Sequence, residues 1–252
     1  EKVPWIAEIM PTRWTYEALM VTQFKDNKYD RLVYDINKTI STADYNTIYR
    51  LPELKNALNT TVMQYRMEGL SPENNSRLPL LKNEISSLSR DENLYPLEEV
   101  DRLNHSDFNH LVAEKVSGYI DSVNSIFIKM SNSADNRKDR FINDYREALD
   151  SLYNHFHNDH LEEIVRKIYE KNKILEYNNR LVQNYDPIYR EPDGNDFPAF
   201  RSHLFAPNKI CMGMKFDTYT FNMFAVWFMS LVFYIFLYFK IFEKIMPSAT
   251  KK

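Results

Sequence analysis

Apolar and polar positions follow one another at helical spacing along most of this chain, and the pattern changes character once, near its end. Phe221 to Phe239 is a run of 19 residues with no charge, no Gly and no Pro, in which only Asn222 and Ser230 are plainly polar. As a helix it would be about 28 Å long, close to the roughly 30 Å hydrocarbon core of a bilayer. A helix in the core of a soluble protein usually keeps a polar stripe, and this one has none. The pattern predicts a transmembrane helix over 221–239, with Tyr219 and Tyr238 at the interfaces. Lys240, Lys244, Lys251 and Lys252 then form a short basic tail over 240–252, which suggests a cytoplasmic C-terminus and places residues 1–220 on the extracytoplasmic side.

Upstream, the most regular stripe is in 107–183. Phe108, Leu111, Val112, Val116, Tyr119, Ile120, Val123, Phe127 and Met130 predict one long helix, with Ser106 or Asp107 as its cap and a polar break from Ser131 to Asp135. Phe141, Tyr145, Leu149, Leu152 and Phe156 continue it, followed by Leu161, Val165, Ile168, Leu175 and Val182 at spacings of three, four and seven. Shorter helical stretches fill 28–68, around Leu32, Ile36 and Ile40 and then Leu54, Leu58, Val62 and Tyr65, with a turn at Gly69-Leu70-Ser71-Pro72. Long amphipathic helices with short loops pack as hairpins or bundles, so 28–183 reads as a helical domain. Turn-formers such as Asn184-Tyr185-Asp186-Pro187 and Glu191-Pro192-Asp193-Gly194 make 184–220 an irregular return linker. Residues 1–27 hold one short helix opened by Pro11, with Trp14, Ala18 and Val21 on its apolar face and Leu19, Met20 and Phe24 widening it. Their amphipathic aromatics, Trp5, Trp14 and Tyr16, suit an interfacial or re-entrant helix; the pattern alone also fits an ordinary core helix.

Composition sharpens this picture in three places. Four Gly in 252 residues, against a usual share of roughly 7%, favour a mainly α fold: a helical hairpin or bundle followed by a single C-terminal transmembrane helix. The net charge is −3, and the basic tail masks a mildly acidic remainder, which gives no electrostatic footprint for nucleic acid. A single cysteine, Cys211, cannot form an internal disulfide, so an exported domain of this kind fits a bacterial envelope better than a disulfide-stapled secreted module. The first residues do not form a signal peptide, and the expectation is that the chain is the C-terminal part of a longer protein.

Val3-Pro4-Trp5, then Ile9-Met10-Pro11-Thr12-Arg13-Trp14-Thr15-Tyr16-Glu17-Ala18-Leu19-Met20-Val21-Thr22-Gln23-Phe24, resembles the segment after the fifth membrane helix of ABC-2-type exporters of the White (ABCG-like) group. In that family a proline and aromatics lead to a short helix ending in a Tyr/Phe-Glu-Ala-Leu pattern with a Phe shortly after, then a loop and the last membrane helix. The resemblance covers about 27 residues at the start and about 40 at the end. Roughly 190 residues between them replace a much shorter loop, similar to insertions in Bacteroidetes-type cassette–permease fusions. It implies a cell-membrane protein in which Pro11, Trp14, Tyr16, Glu17 and Phe24 form a membrane-proximal motif. It also implies as partners the bilayer, upstream membrane helices, an ATP-binding cassette using ATP and Mg, a second copy of the half-transporter, and an envelope protein engaged by the inserted domain. A membrane-anchored helical sensor or scaffold is the alternative from another class.

Chemistry of its own is hard to find in the chain. No phosphate-binding loop, zinc pattern or nucleophile elbow is present, so no catalytic residue, cofactor site or metal site is expected here. His155, His157, His160 and Glu163 are a local cluster, but they lack the i, i+4 histidine pair of helical zinc sites and read as a solvated helix end. Cys211 has no basic or helix-N-terminal context that would make it a reactive thiol. Four Asn-x-Ser/Thr triplets, at Asn37, Asn59, Asn74 and Asn104, are the chance yield of an Asn-rich chain. Within the span, Asn222 is expected to be hydrated at the interface, and Ser230, near the midplane, to bond back to a backbone carbonyl.

Overall fold

A computed structural model describes residues 3–69, 77–91, 94–192 and 201–240. The triplet at Asn74, most of the turn after Gly69, part of the return linker and nearly all of the basic tail lie outside them. The described fold is mainly helical, with two short β-hairpins, and it ends in one helix long and apolar enough to cross a membrane.

The chain opens with α1 (Trp5–Glu8) and α2 (Pro11–Lys25), with Pro11 in the first turn as expected. Next come α3 (Asp30–Asp44), a π-helical turn (Tyr45–Arg50) continuous with α4 (Leu51–Glu68), and α5 (Arg77–Leu88). Helix α6 (His110–Asp144) has 35 residues and a length of about 52 Å. Its cap is Asn109, whose side chain accepts from the Val112 amide, because Asn104 has already folded Ser106 and Asp107 into a turn of their own. The expected break at Ser131–Asp135 is absent. That stretch holds neither Gly nor Pro, Ser131 donates to Asp44, and Ala134 is buried, so polarity there marks a face and not an end.

Two apolar clusters divide the upstream residues. The distal one joins α4, α5 and α6 through Leu54, Leu58, Leu81, Ile85, Val116, Ile120, Val123 and Phe127. The other lies nearer the C-terminal apolar helix, where Val21 and Phe24 of α2 and Tyr34 of α3 meet Leu161 and Val165 of α8 (Asp159–Arg166), Ile188, Tyr189 and Phe205. Helix α7 (Arg146–Phe156) links α6 to α8.

Residues 174–183 form a hairpin in place of the expected helix. Strands β1 (Ile174–Tyr177) and β2 (Arg180–Gln183) pair antiparallel around Asn178 and Asn179, both at positive φ, as a tight type I′ turn requires. Leu175 and Val182, seven apart in sequence, are direct cross-strand partners, so a spacing that suggested a helix face arises from register. The return linker likewise contains β3 (Asn208–Cys211) and β4 (Met214–Asp217), joined through Met212 and Gly213, again both at positive φ. From β4 the chain enters α9 (Thr218–Tyr238), capped by the Asp217 carboxylate on the Tyr219 amide. Its 21 residues extend the expected span by one turn at the start.

Candidate functional site at the base of the C-terminal apolar helix

Helix α2 buries Trp14, Glu17, Ala18, Val21 and Phe24, an i, i+3, i+4, i+7 stripe whose one charged member is Glu17. Its most extensive partner is α9. Trp14 meets Phe221 with ring centroids 6.0 Å apart, and Lys25 bridges to the Asp217 cap at 2.7 Å, so the two helices run in opposite directions.

Between them lies a polar junction with no solvent access. Glu17, Lys209 and Asn222 are each 0% exposed. One carboxylate oxygen of Glu17 accepts from Lys209 Nζ at 2.7 Å and from the Phe205 amide at 3.1 Å. The other accepts from Asn222 Nδ2 at 3.0 Å and faces the Arg13 guanidinium at 3.4 Å. Lys209 also donates to Ser202 Oγ at 2.6 Å, and the Asn222 amide reaches the Trp14 carbonyl at 3.1 Å. Glu17 thus ties α2, the 202–205 loop, strand β3 and the first turn of α9 to one carboxylate.

A second carboxylate backs the first. Glu8 lies 3.4 Å from Arg13 and 3.8 Å from Arg201, its carbonyl accepts from the Trp14 indole at 2.8 Å, and Arg13 stacks over the Trp14 ring at 4.3 Å. Burial pushes the Glu8 carboxyl up and the Lys209 ammonium down from their ordinary pKa values, because each loses hydration that its partners only partly replace. Two acids and three cations make a latch with one positive charge in excess. The arrangement can transmit position or charge between α2 and α9.

The expected membrane-proximal residues fall in different places. Trp14, Glu17 and Phe24 face inward, and Phe24 meets Tyr189 at 6.2 Å. Tyr16 is half-exposed, with its ring 6.0 Å from Phe205. Asn222 is not hydrated: it is sealed in the junction, and its Oδ1 is a buried atom without a hydrogen bond. Ser230 donates to the Val226 carbonyl at 2.9 Å, as expected of a hydroxyl in a span, and is remote from the junction. Lys209 and Arg13 were not legible as partners of Glu17, nor Ser202 as a partner of Lys209. A lysine inside a four-residue strand signals nothing until the hairpin's inner face is known.

The histidine cluster also divides. His155 contacts the Ser151 carbonyl, and His160 is exposed 3.6 Å from Glu163. The His157 ring is buried between α7 and α8 and meets Asp30, Asp159 and Glu162, so the reading of the cluster as a solvated helix end fails at this residue. Cys211 is partly exposed at the end of β3.

Away from these groups, a polar cleft of about 740 Å³ opens beside the π-helical turn, with Tyr45, Asn46 and Arg50 on one side and Lys82, Arg90 and Arg180 on others. A smaller one, of about 200 Å³, is lined in part by Pro4, Pro187 and His203. His203 is buried with a ring nitrogen 2.9 Å from the Pro187 carbonyl, and burial holds its pKa well below the usual imidazole value. The unfolded chain therefore takes up a proton near pH 6.5 that the folded chain refuses, and stability falls as pH drops through that value. Between pH 7 and 5 the loss should approach about 1.4 kcal/mol per pH unit, and His203→Gln should flatten the profile in thermal unfolding.

No protein-family model, curated protein or solved structure matches the chain.

Proposed function

We propose that this chain is the C-terminal permease part of an ATP-driven ABC-2-type exporter, with an enlarged extracytoplasmic helical domain inserted before the last membrane helix. The observation that carries the proposal is the Glu17 junction. The short helix after the proline and aromatics, which resembles the family's membrane-proximal motif, is locked onto the start of the membrane helix by a buried carboxylate. A simple anchor has no use for such a lock, whereas a permease needs one to pass motion between its outer helix and its last span.

The surface of the same unit supports this. Trp5, Ile6, Ile9, Met10, Tyr16 and Leu19 are exposed on α1, α2 and the turn between them, and the membrane helix exposes Phe224, Trp227, Phe228 and Leu231. Such an apolar surface calls for lipid and for further membrane helices. In this proposal residues 1–220 face the extracytoplasmic side, and the inserted domain caps or gates the exit or engages an envelope partner. ATP and Mg are used by a cassette outside this chain, and two half-transporters pair.

A second function, a membrane-anchored sensor, is favoured by the polar cleft beside the π-helical turn, since π-turns recur at functional sites. The coding sequence upstream of Glu1 separates the two. An exporter predicts a Gly-x-x-x-x-Gly-Lys-Ser/Thr loop followed by several apolar spans. A signal peptide or one lone span, with no cassette encoded alongside, would leave the sensor.

A further inference from the structure

We propose that His157, Asp159 and Glu162 bind a divalent transition-metal ion, zinc by preference, with Asp30 orienting the histidine. Nδ1 of His157 lies 3.0 and 3.1 Å from the two oxygens of Asp30, a hydrogen bond across 127 residues that holds the ring proton on that nitrogen. The lone pair of Nε2 then points at Glu162 Oε2, 3.1 Å away, and Asp159 Oδ1, 3.3 Å away. Three electron-rich atoms face one another within 4.8 Å, a crowding that a metal ion between them or a proton on Nε2 would relieve.

Spacing and charge favour a metal ion over a second ring proton. Zinc bonds to nitrogen and carboxylate oxygen of about 2.0–2.2 Å place neighbouring tetrahedral ligands roughly 3.3–3.5 Å apart, close to the separations found. Asp30, Asp159 and Glu162 stand around His157, and Arg166 donates to Glu162 at 2.6 Å and to Asp186 at 2.7 Å. A protonated His157 would leave this group two negative charges in excess, and a dication with neutral imidazole only one.

The surroundings are those of a supported ligand set. The Tyr153 ring stacks on His157 at 4.5 Å and its hydroxyl donates to Asp159 at 2.8 Å, while Tyr29 closes the ring's edge at 5.7 Å. Asp30 supplies the carboxylate–histidine contact that fixes ring orientation in metal sites. His157 is almost fully buried, but Asp159 is largely exposed, which gives the ion an entry path and leaves a fourth position to water. Asp30 also accepts from Asn27, just beyond α2, so a bound ion would stiffen the start of α3 against α8 beside the membrane-proximal core.

The test is titration of the whole chain in lipid nanodiscs with zinc after chelator treatment, read by calorimetry and by metal content. One equivalent should bind with a dissociation constant of about 1 μM or tighter, and magnesium should not compete. Asp159→Asn, at an exposed position, should keep the metal-free melting temperature and weaken zinc at least about 10-fold; Asp30→Asn should weaken it about 10–100-fold. His155→Ala and His160→Ala should bind as the natural chain does. No stoichiometric zinc, equal competition by magnesium, or unchanged binding by Asp159→Asn and His157→Gln would overturn the proposal.

Discussion

Replacing Glu17 with alanine is expected to destabilise the chain by about 3–5 kcal/mol, because it leaves the Lys209 ammonium buried with only Ser202 as partner. The Asn222 amide would keep only the Trp14 carbonyl, and the Phe205 amide would lose its acceptor. Glu17→Gln keeps the shape but not the charge and should cost less. The decisive variant is the double one, Glu17→Leu with Lys209→Met. Removing both charges together avoids an isolated buried ion, so the double variant should recover most of the stability that either single change loses. Thermal unfolding in detergent reads all four proteins, and a Glu17→Ala chain within about 0.5 kcal/mol of the natural one would mean the junction is not what holds α2 to α9. In the exporter proposed above, the double variant should still fail to transport, since it restores packing but not the polar link to Asn222.

The second large effect is expected at Asp186. Its carboxylate is buried and accepts from Arg166 Nε at 2.7 Å, Arg166 Nη2 at 3.2 Å and Ser41 Oγ at 2.7 Å, joining α3, α8 and the Pro187–Tyr189 turn. Burial opposes the Arg166 charge, and its carboxylate partners outweigh it and hold the pKa above the ordinary value; a guanidinium is basic enough to stay charged when one partner is removed. Asp186→Ala should therefore cost about 3–5 kcal/mol for the stranded guanidinium. Asp186 also sits at a φ of 50°, a left-handed conformation that adds about 1 kcal/mol for alanine and much less for asparagine. Asp186→Asn should fall between Ala and the natural residue in a urea titration, and equal losses for Asn and Ala would place the whole effect in the charge.

Much of the fold was legible because burial follows helical period. The stripe from Phe108 to Met130, the stripe of α2 opened by Pro11 and the apolar run of α9 all stand where the residues placed them. What failed was local. Asn178-Asn179 and Met212-Gly213 are tight-turn dipeptides, yet each is flanked by strands of only four residues, too short for alternation to outweigh a chance seven-residue spacing. The polar stretch at 131–135 was misread for a different reason: with no residue that breaks a helix, polarity only decides which side faces water.

At the junction, one half was visible and the other was not. A lone glutamate in an apolar stripe is a signal in the sequence, and Glu17 carries it. Its hydrogen-bond partners come from 188 to 205 residues away, and Lys209 among them sits on a hairpin that the pattern did not show. Asn222 was taken for an interfacial, hydrated side chain because depth in a bilayer was weighed without the neighbour that covers it. For His157 the error was to reason along one helix, when the ring stands between two helices and takes its orientation from Asp30 at the start of α3.

The most direct measurement is ATP hydrolysis by the intact natural polypeptide, or its complex, purified into lipid nanodiscs. An exporter predicts magnesium-dependent ATPase activity that Glu17→Ala lowers severalfold while His160→Ala, at an exposed position, leaves it unchanged. A preparation that is folded, membrane-bound and free of ATPase activity, with no cassette polypeptide accompanying it, would contradict the exporter and leave residues 1–220 as an anchored binding domain.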